Sequence, residues 1–250
     1  MSNTFWKSLS VLVTVLFEDE DNKKSKQTVF MDALENGDVG IVHMLLEYTG
    51  FDPPATTISV ASENGHVTIV ERLLQDDRFD PSLYENAAIR FACRKGNIAV
   101  VNRLLQEPTT CVDPSIDDNY AICLASENGH VAVVDRLLQD NRVDPFANDN
   151  HAIQWASQNG HIAVVDRLLQ ELTKCVDPYT FIETAINCSS YKGHADIVYL
   201  LLQNKLVDSI AWAIWVAGKY GHTNVVNLLL QHKACYDDKN LTVEHHDQNY

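Results

Sequence analysis

Five histidines recur along this 250-residue chain in a pattern that first suggests metal binding. They are His66, His130, His161, His194 and His222, and each directly follows a glycine. Zinc requires its ligand nitrogens about 2 Å from one centre. Residues at equivalent points of successive packed helices instead lie about 8 to 10 Å apart. The pattern therefore predicts a structural role at turns, and we expect neither a metal nor another cofactor.

The six cysteines offer a second possible chemistry, that of thiols. They are Cys93, Cys111, Cys123, Cys175, Cys188 and Cys235, and none belongs to a C-x-x-C pair, the spacing expected of zinc and redox sites. Cys111 and Cys175 begin the same Cys-Val-Asp-Pro tetrapeptide two units of a repeat apart, beyond the roughly 7 Å Cα limit for a disulfide. We predict reduced thiols that pack among other side chains.

Candidate catalytic residues do not emerge from the sequence. It contains no nucleophile elbow, phosphate-binding glycine loop, paired His-Glu helix motif or separate Cys-His arrangement. Five aspartates fall between apolar segments, where solvation is the expected role: Asp76, Asp77, Asp117, Asp118 and Asp140. We therefore predict that the protein is not an enzyme.

The net negative charge of the chain disfavours two classes of partner. Acidic residues outnumber basic residues 34 to 19, which gives a formal net charge of −15. A chain of this charge is repelled by phosphate backbones and anionic membranes. Neither nucleic acid nor a membrane is an expected partner.

The ends of the chain differ from its centre. Residues 1–27 contain the apolar run 9–17, which is shorter than the about 18 residues that span a bilayer. Acidic residues 18–21 follow it, where a secretory signal would have a small-x-small cleavage site. We predict a cytoplasmic protein whose residues 1–27 form a capping helix or a short recruitment element. Residues 236–250 lack periodicity and are predicted to form a mobile tail.

An internal repeat organises the rest of the sequence. A marker glycine recurs at intervals of 28 to 33 residues, and a leucine pair begins eight residues after each one, from Leu45-Leu46 to Leu229-Leu230. The marker glycines are Gly37, Gly65, Gly96, Gly129, Gly160, Gly193 and Gly221. A fixed period of this length indicates a stack of equivalent units, and the markers predict seven of them.

Each unit is predicted to be a helical hairpin. After the marker the apolar residues fall on one helical face, as in Val131, Val134, Leu137 and Leu138. A shorter helix before the marker carries Ile and Ala, and the glycine permits the turn between the two helices. Asn86, Asn119 and Asn150 precede this first helix and are predicted to be N-caps.

An Asp-Pro step follows the leucines in five units and ends the second helix. It is predicted to begin a short extended finger. The steps are Asp52-Pro53, Asp80-Pro81, Asp113-Pro114, Asp144-Pro145 and Asp177-Pro178.

With these parts in place, residues 28–235 resemble the ankyrin-repeat family, whose pattern runs T-P-L-H-x-A-A-x-x-G-H-x-x-V-V-x-x-L-L. The segment 125–138 reproduces the second half of this pattern almost letter for letter. The T-P-L-H part is replaced, for example by Tyr-Ala-Ile-Cys at 120–123. Combined Asp-Pro, Asn-x-Ala-Ile and Asn-Gly-His motifs are similar to divergent arrays of amoeba-infecting large DNA viruses and protists. The resemblance implies an all-α ankyrin-repeat solenoid of about seven helix-turn-helix units with short extended fingers.

The resemblance also implies a protein-protein interaction module that binds its partner on a concave face. The two residues before each marker vary between units and are expected to face that side. Six of them combine cations and aromatics: Arg94, Lys95, Tyr191, Lys192, Lys219 and Tyr220. Three aromatics near the Asp-Pro steps are further candidates, which either anchor a partner or pack on the next finger: Tyr84, Phe146 and Tyr179.

Two functional hypotheses remain open at this point. The first is a monomeric module that binds another protein, and it extends to an adaptor that selects a target. The alternative is an array that senses a small anionic ligand, such as a nucleotide, at Arg94 and Lys95.

Three tryptophans fall on the first helices. Trp155 occupies a position filled elsewhere by Phe91, Leu124 and Val216 and is predicted to be core. Trp212 and Trp215 either seal the end of the array or form a sticky edge, and the atypical last unit favours sealing.

Overall fold

The computed structural model describes residues 23–48, 51–106, 112–204, 207 and 209–244, except for the side chains of residues 23–25 and 235–244. Within these ranges the chain forms fourteen α-helices and one short 3-10 helix, and no strand. The predictions for residues 1–22 and 245–250 lie outside the described residues. The last helix continues through residue 244, into the segment predicted as a tail.

The helices fall into two compact units. The first unit contains α1 (Lys23–Asn36), α2 (Val39–Glu47), α3 (Thr57–Glu63), α4 (Val67–Leu73) and most of α5 (Leu83–Lys95) and α6 (Ile98–Gln106). The second contains α7 (Ile116–Glu127), α8 (Val131–Leu137), α9 (Ala147–Gln158), α10 (Ile162–Leu169), the 3-10 helix (Leu172–Lys174), α11 (Pro178–Lys192), α12 (Ala195–Leu202), α13 (Ala211–Lys219) and α14 (Thr223–Glu244).

Odd-numbered and even-numbered helices form two layers in each unit. In the second unit, α9 packs against both α7 and α11, and α11 packs against α13. The even-numbered helices α8, α10, α12 and α14 pack against one another in the same order. In the first unit α1 packs on α3, and α2 packs on α4. Each marker glycine therefore joins a first helix to the second helix of one repeat, as the sequence predicts.

The turn at the marker glycine closes the first helix in a Schellman motif. Gly129 has φ of 76°, and the backbone N–H of His130 donates to the carbonyl of Ala125 at 2.9 Å. This six-residue closure requires a left-handed residue, which glycine adopts without steric cost. All seven marker glycines have φ between 75° and 81°.

The core lies between the two layers. In the fourth repeat the second helix buries Val133, Val134 and Leu137, each at most 1% exposed. Val131 and Leu138 are half-buried, so the buried face of α8 is rotated from the predicted one. Full burial of such side chains stabilises the fold by roughly 1.5–3 kcal/mol each. Small residues such as Ala125 allow the first helices to approach closely.

Four of the five Asp-Pro steps are closed by aspartate side chains. Asp80, Asp113 and Asp144 each accept a hydrogen bond on Oδ1 from the backbone N–H two residues later, at 2.8 to 2.9 Å. These are Asx turns, which fix the start of the next repeat. Asp177 instead caps α11, because its Oδ1 accepts from the N–H of Thr180.

Three central repeats contain a feature that the sequence pattern does not predict, a left-handed turn of three residues near the start of the first helix. The turns are Tyr84-Glu85-Asn86, Asp117-Asp118-Asn119 and Asn148-Asp149-Asn150, with φ between 51° and 65°. The N-cap prediction is wrong for Asn119. Its Oδ1 accepts a hydrogen bond from the backbone N–H of Asp144, in the next repeat, at 2.8 Å. The side chain thus joins two repeats instead of capping its own helix.

Candidate protein-interaction surface

The recurrent histidines join five of the repeats to the repeat before each, whereas the third repeat has Asn97 at this position. The Nε2–H of each imidazole donates to a backbone carbonyl two residues before the preceding marker glycine, at 2.8 to 3.0 Å. The pairs are His66 with Glu35, His130 with Arg94, His161 with Glu127, His194 with Gln158 and His222 with Tyr191. The predicted structural role is confirmed. In the described part of the chain, no three His, Cys, Asp or Glu side chains form a group that could hold a metal.

The described cysteines are packed thiols. Cys93 and Cys123 are buried, and Cys175 and Cys188 are half-buried. Desolvation by burial raises the pKa of Cys123 to about 12 and that of Cys188 to about 11. Such thiols stay protonated at neutral pH and are poor nucleophiles. Packing is confirmed for these residues, whereas Cys111 and the side chain of Cys235 lie outside the described residues.

Helices α11 and α13 bring four of the predicted binding residues together. Tyr191 and Lys192 end α11, Lys219 ends α13, and Tyr220 is the C-cap of α13. The Tyr191 and Tyr220 rings meet edge to face, with their centroids 4.7 Å apart. The Lys192 Nζ lies 5.2 Å from the Tyr191 centroid, and the Lys219 Nζ lies 5.6 Å from that of Tyr220. Cation–π contacts of this kind contribute about 0.5–1 kcal/mol each at exposed sites.

Two tryptophans extend this group along α13. Trp212 and Trp215 stack with ring centroids 4.6 Å apart, and the Lys219 Nζ lies 4.9 Å from the Trp215 centroid. The two tryptophans are 55% and 50% exposed. Half of each residue remains accessible, and half is covered. We call the connected group Tyr191, Lys192, Trp212, Trp215, Lys219 and Tyr220 the aromatic-lysine strip.

The strip differs in charge from the chain as a whole. Helix α13 contains no carboxylate, and Glu183 is the one acidic residue of α11. Within the described residues, neither Lys192 nor Lys219 forms an ion pair with a carboxylate. A protein with a net charge of −15 therefore presents ammonium groups and aromatic rings together at this site.

Arg94 and Lys95 do not join the strip. They end α5, in the third repeat, whereas the strip belongs to the sixth and seventh repeats. The equivalent positions of the two intervening repeats are occupied by Glu127, Asn128, Gln158 and Asn159. The six candidates that precede marker glycines therefore fall into two groups. The repeats between the two groups carry uncharged or acidic side chains at the equivalent positions.

The three aromatics near the Asp-Pro steps have different environments. The Phe146 ring packs edge to face on the buried Phe181 ring, with centroids 5.1 Å apart. Tyr179 is 48% exposed and lines a small cavity of about 120 Å³ with Ile182 and Val207. Tyr84 belongs to a left-handed turn and is 57% exposed. Phe146 therefore packs on the next repeat, while the two tyrosines remain accessible.

Trp155 is half-buried, so the core prediction is only partly right. Its ring stacks on His151 with centroids 5.3 Å apart and meets Tyr120, in the preceding repeat, edge to face at 5.9 Å. Aromatic contact therefore also links the first helices of the fourth and fifth repeats.

A model of the ankyrin-repeat family matches residues 30–118, 89–178 and 153–242. The chain belongs to the ankyrin-repeat family. No curated protein sequence matches it. Ankyrin repeats are generally non-catalytic modules that bind other proteins, and this is the class of protein that the fold defines.

Solved structures share the fold. The human ASB11 ankyrin-repeat domain is similar with a TM-score of 0.64 and 19% identity, covering 81% of this chain and 96% of that one. The ankyrin-repeat domain of Bcl-3, a member of the IkappaB family, is similar with a TM-score of 0.58 and 20% identity, covering 80% and 97%. None of the helices described in the structure is both long enough and apolar enough to cross a membrane.

Proposed function

We propose that this protein is a non-catalytic interaction module that binds another protein on a concave face formed by its first helices and fingers. The observation that carries the proposal is the aromatic-lysine strip on α11 and α13. Tyrosine and tryptophan dominate binding energy at protein interfaces because they bury large areas at low entropic cost. Three of the four rings of the strip, those of Trp212, Trp215 and Tyr220, belong to residues that are about half exposed.

The variation between repeats favours the same side of the molecule as the binding surface. Positions that build the repeat, such as the marker glycines, hardly change, whereas the pair before each marker does. Since the fold tolerates Glu, Arg, Gln, Tyr or Lys at the first of these positions, it does not dictate the residue. Such positions are available for recognition.

The test is affinity capture from source-cell extract, followed by mass spectrometry and measurement of the affinity for each purified partner. The variant carries Ala at Arg94, Lys95, Tyr191 and Tyr220. The matched control carries Ala at Arg136, Tyr199 and Lys233, which lie on second helices. Partners lost with the first variant and retained by the control support binding through the first helices. Equal loss with both variants, or no loss with either, would contradict the proposal.

The proposal also includes a location, an oligomeric state and a cellular role. We place the protein in the cytoplasm as a monomer that does not bind nucleic acid, and as an adaptor whose residues 1–27 recruit a second factor. The combined Asp-Pro, Asn-x-Ala-Ile and Asn-Gly-His motifs support a place among the divergent arrays of amoeba-infecting viruses and protists.

The alternative function is an array that senses a small anionic ligand. If a nucleotide raised the thermal stability of the protein in a saturable way, and Arg94→Ala and Lys95→Ala abolished this effect, the result would favour the anion sensor.

A further inference from the structure

We propose that the aromatic-lysine strip binds a short acidic segment of a partner protein, in which two carboxylates flank an apolar residue. This inference rests on the proposed function and specifies the chemistry of the partner. It follows from three properties of the strip: its unpaired ammonium groups, its exposed rings and the order in which they alternate.

The ammonium groups define the charge of the partner. Lys192 and Lys219 are held over aromatic rings and form no ion pair with a carboxylate in the described part of the chain. A lysine side chain that is already positioned loses less conformational entropy when it binds a carboxylate. The other side chains of α13, which carries Lys219, are neutral. A carboxylate is therefore the group to which each ammonium is best placed to donate.

The aromatic rings indicate which residue lies between the two carboxylates of the partner. Tyr191 and Tyr220 lie in contact with each other, and each has one of the two lysines over its ring. The partner segment has to place one carboxylate at each ammonium group. The part of the segment between the two carboxylates then lies on this tyrosine pair. An apolar side chain fits there, because it buries aromatic area without leaving a polar group unpaired.

The stacked Trp212–Trp215 pair extends the same apolar surface beyond Lys219. A second apolar residue of the partner, outside the carboxylate pair, can bury part of this half-exposed surface. In the recognised segment, acidic residues thus alternate with apolar residues.

Nucleic acid fits the strip less well, although aromatic rings and lysines also bind single strands. The rings already pair with each other by stacking or edge contact, and only two ammonium groups are present. Nucleic-acid affinity grows with the number of neutralised phosphates, and the net charge of −15 opposes a polyanion at long range. A short segment with two carboxylates meets less of this repulsion.

The experiment selects random 12-residue peptides on phage against the full chain, with subtraction against the Lys192→Gln/Lys219→Gln variant. Selected peptides are synthesised, and their affinity is measured by fluorescence anisotropy. We expect two Asp or Glu residues around an aliphatic or aromatic residue. The double lysine variant and Trp215→Ala should each weaken binding at least tenfold, and higher salt should weaken it further. Circular dichroism establishes that each variant retains its helices.

The matched control is Lys26→Gln, because the Lys26 Nζ also lies 5.0 Å from a tyrosine ring, that of Tyr48, in the first unit. Its affinity should stay within twofold of the original. Lys219→Arg should retain binding, since arginine keeps the charge and the ring contact. A labelled 12-nucleotide oligouridylate serves as the probe for the other class of ligand.

Several results would overturn the inference. Selection of peptides without acidic residues, failure to select any peptide, or equal affinity for the double lysine variant would each do so. Tight oligouridylate binding that the lysine variant abolishes would assign the strip to nucleic acid. If partners still depend on first-helix residues outside the strip, the proposed function stands and only this inference fails.

Discussion

The Nε2 atom of His161 lies 2.8 Å from the carbonyl oxygen of Glu127, two residues before the marker glycine of the preceding repeat. The same imidazole packs directly over that glycine, Gly129. A β-carbon at Gly129 would lie 2.6 Å from the His161 Nδ1. The histidine of one repeat and the glycine of another are therefore a single structural element that sets how successive repeats stack.

His161→Ala should destabilise the fold by about 1 to 3 kcal/mol, because it removes a donor from a carbonyl at a repeat junction. The measurement is the free energy of unfolding from urea titration, followed by circular dichroism. His232→Ala provides the control. His232 makes no repeat-joining bond of this kind in the described structure, and its substitution should change stability by less than about 0.5 kcal/mol.

Gly129→Ala should destabilise the fold by more than about 1 kcal/mol, since it combines a left-handed backbone with a clash against the imidazole. Gly218→Ala is the matched control. Gly218 lies inside α13, where an added β-carbon would meet no atom within 4 Å beyond its chain neighbours and the backbone of its own helix. Alanine there should be neutral or stabilising by up to about 1 kcal/mol. Adding His161→Ala to Gly129→Ala should cost less than the sum of the single changes, and strict additivity would argue against the shared contact.

The repeat was predictable from the sequence because its determinants are local. Within a dozen residues, the marker glycine and the following histidine indicate the turn, and the leucine pair indicates the second helix. The buried face of α8 was harder to place, because Val131, Val133 and Val134 are all apolar and only packing between the two layers decides which are buried.

The left-handed turns and the strip depend on tertiary context. Asn-Asp-Asn at 148–150 is a composition that tolerates left-handed backbone, but Tyr84-Glu85-Asn86 adopts the same turn without it. Asn119 bonds to Asp144, which lies 25 residues further along the chain. The contact of Tyr191 with Tyr220 likewise joins two repeats, so the sequence supplied these residues as candidates but not their grouping with Trp212 and Trp215.

Substitutions in the second left-handed turn should have opposite effects. Asp118 is exposed with φ of 52°, so Asp118→Gly should stabilise the fold by about 0.5 to 1 kcal/mol by removing backbone strain. Asn119→Gly relieves the same strain but deletes the acceptor of the Asp144 N–H, and should destabilise the fold by about 1 kcal/mol. Thermal unfolding of both variants tests the contrast, and stabilisation by both would show that the Asn119 bond contributes little.

Glu171 should make the stability depend on pH. Hydrogen bonds from Lys174 and Arg167, at 2.5 and 2.8 Å, lower the pKa of Glu171, although desolvation by burial opposes them. A folded-state pKa below the unfolded value means that the carboxylate stabilises the fold above the unfolded pKa. That stabilisation is lost as the pH falls through the folded value.

Glu171→Gln should therefore destabilise the fold at pH 7 and reduce its loss of stability on acidification, as measured by urea titration at several pH values. Glu183→Gln is the control, because the exposed Glu183 forms no ion pair in the described structure. A Glu171→Gln profile parallel to that of the original protein would contradict this assignment.

Trp212→Ala and Trp215→Ala should each change the free energy of unfolding by no more than about 1 kcal/mol, because half of each residue already contacts water. Leu229→Ala, at a fully buried position of the same repeat, should cost about 2 to 5 kcal/mol. The comparison separates a core role from a surface role within one repeat. If the tryptophan variants lost as much stability as Leu229→Ala, the indoles would be needed to hold the last repeat together. Small losses would instead leave the two rings available to a partner.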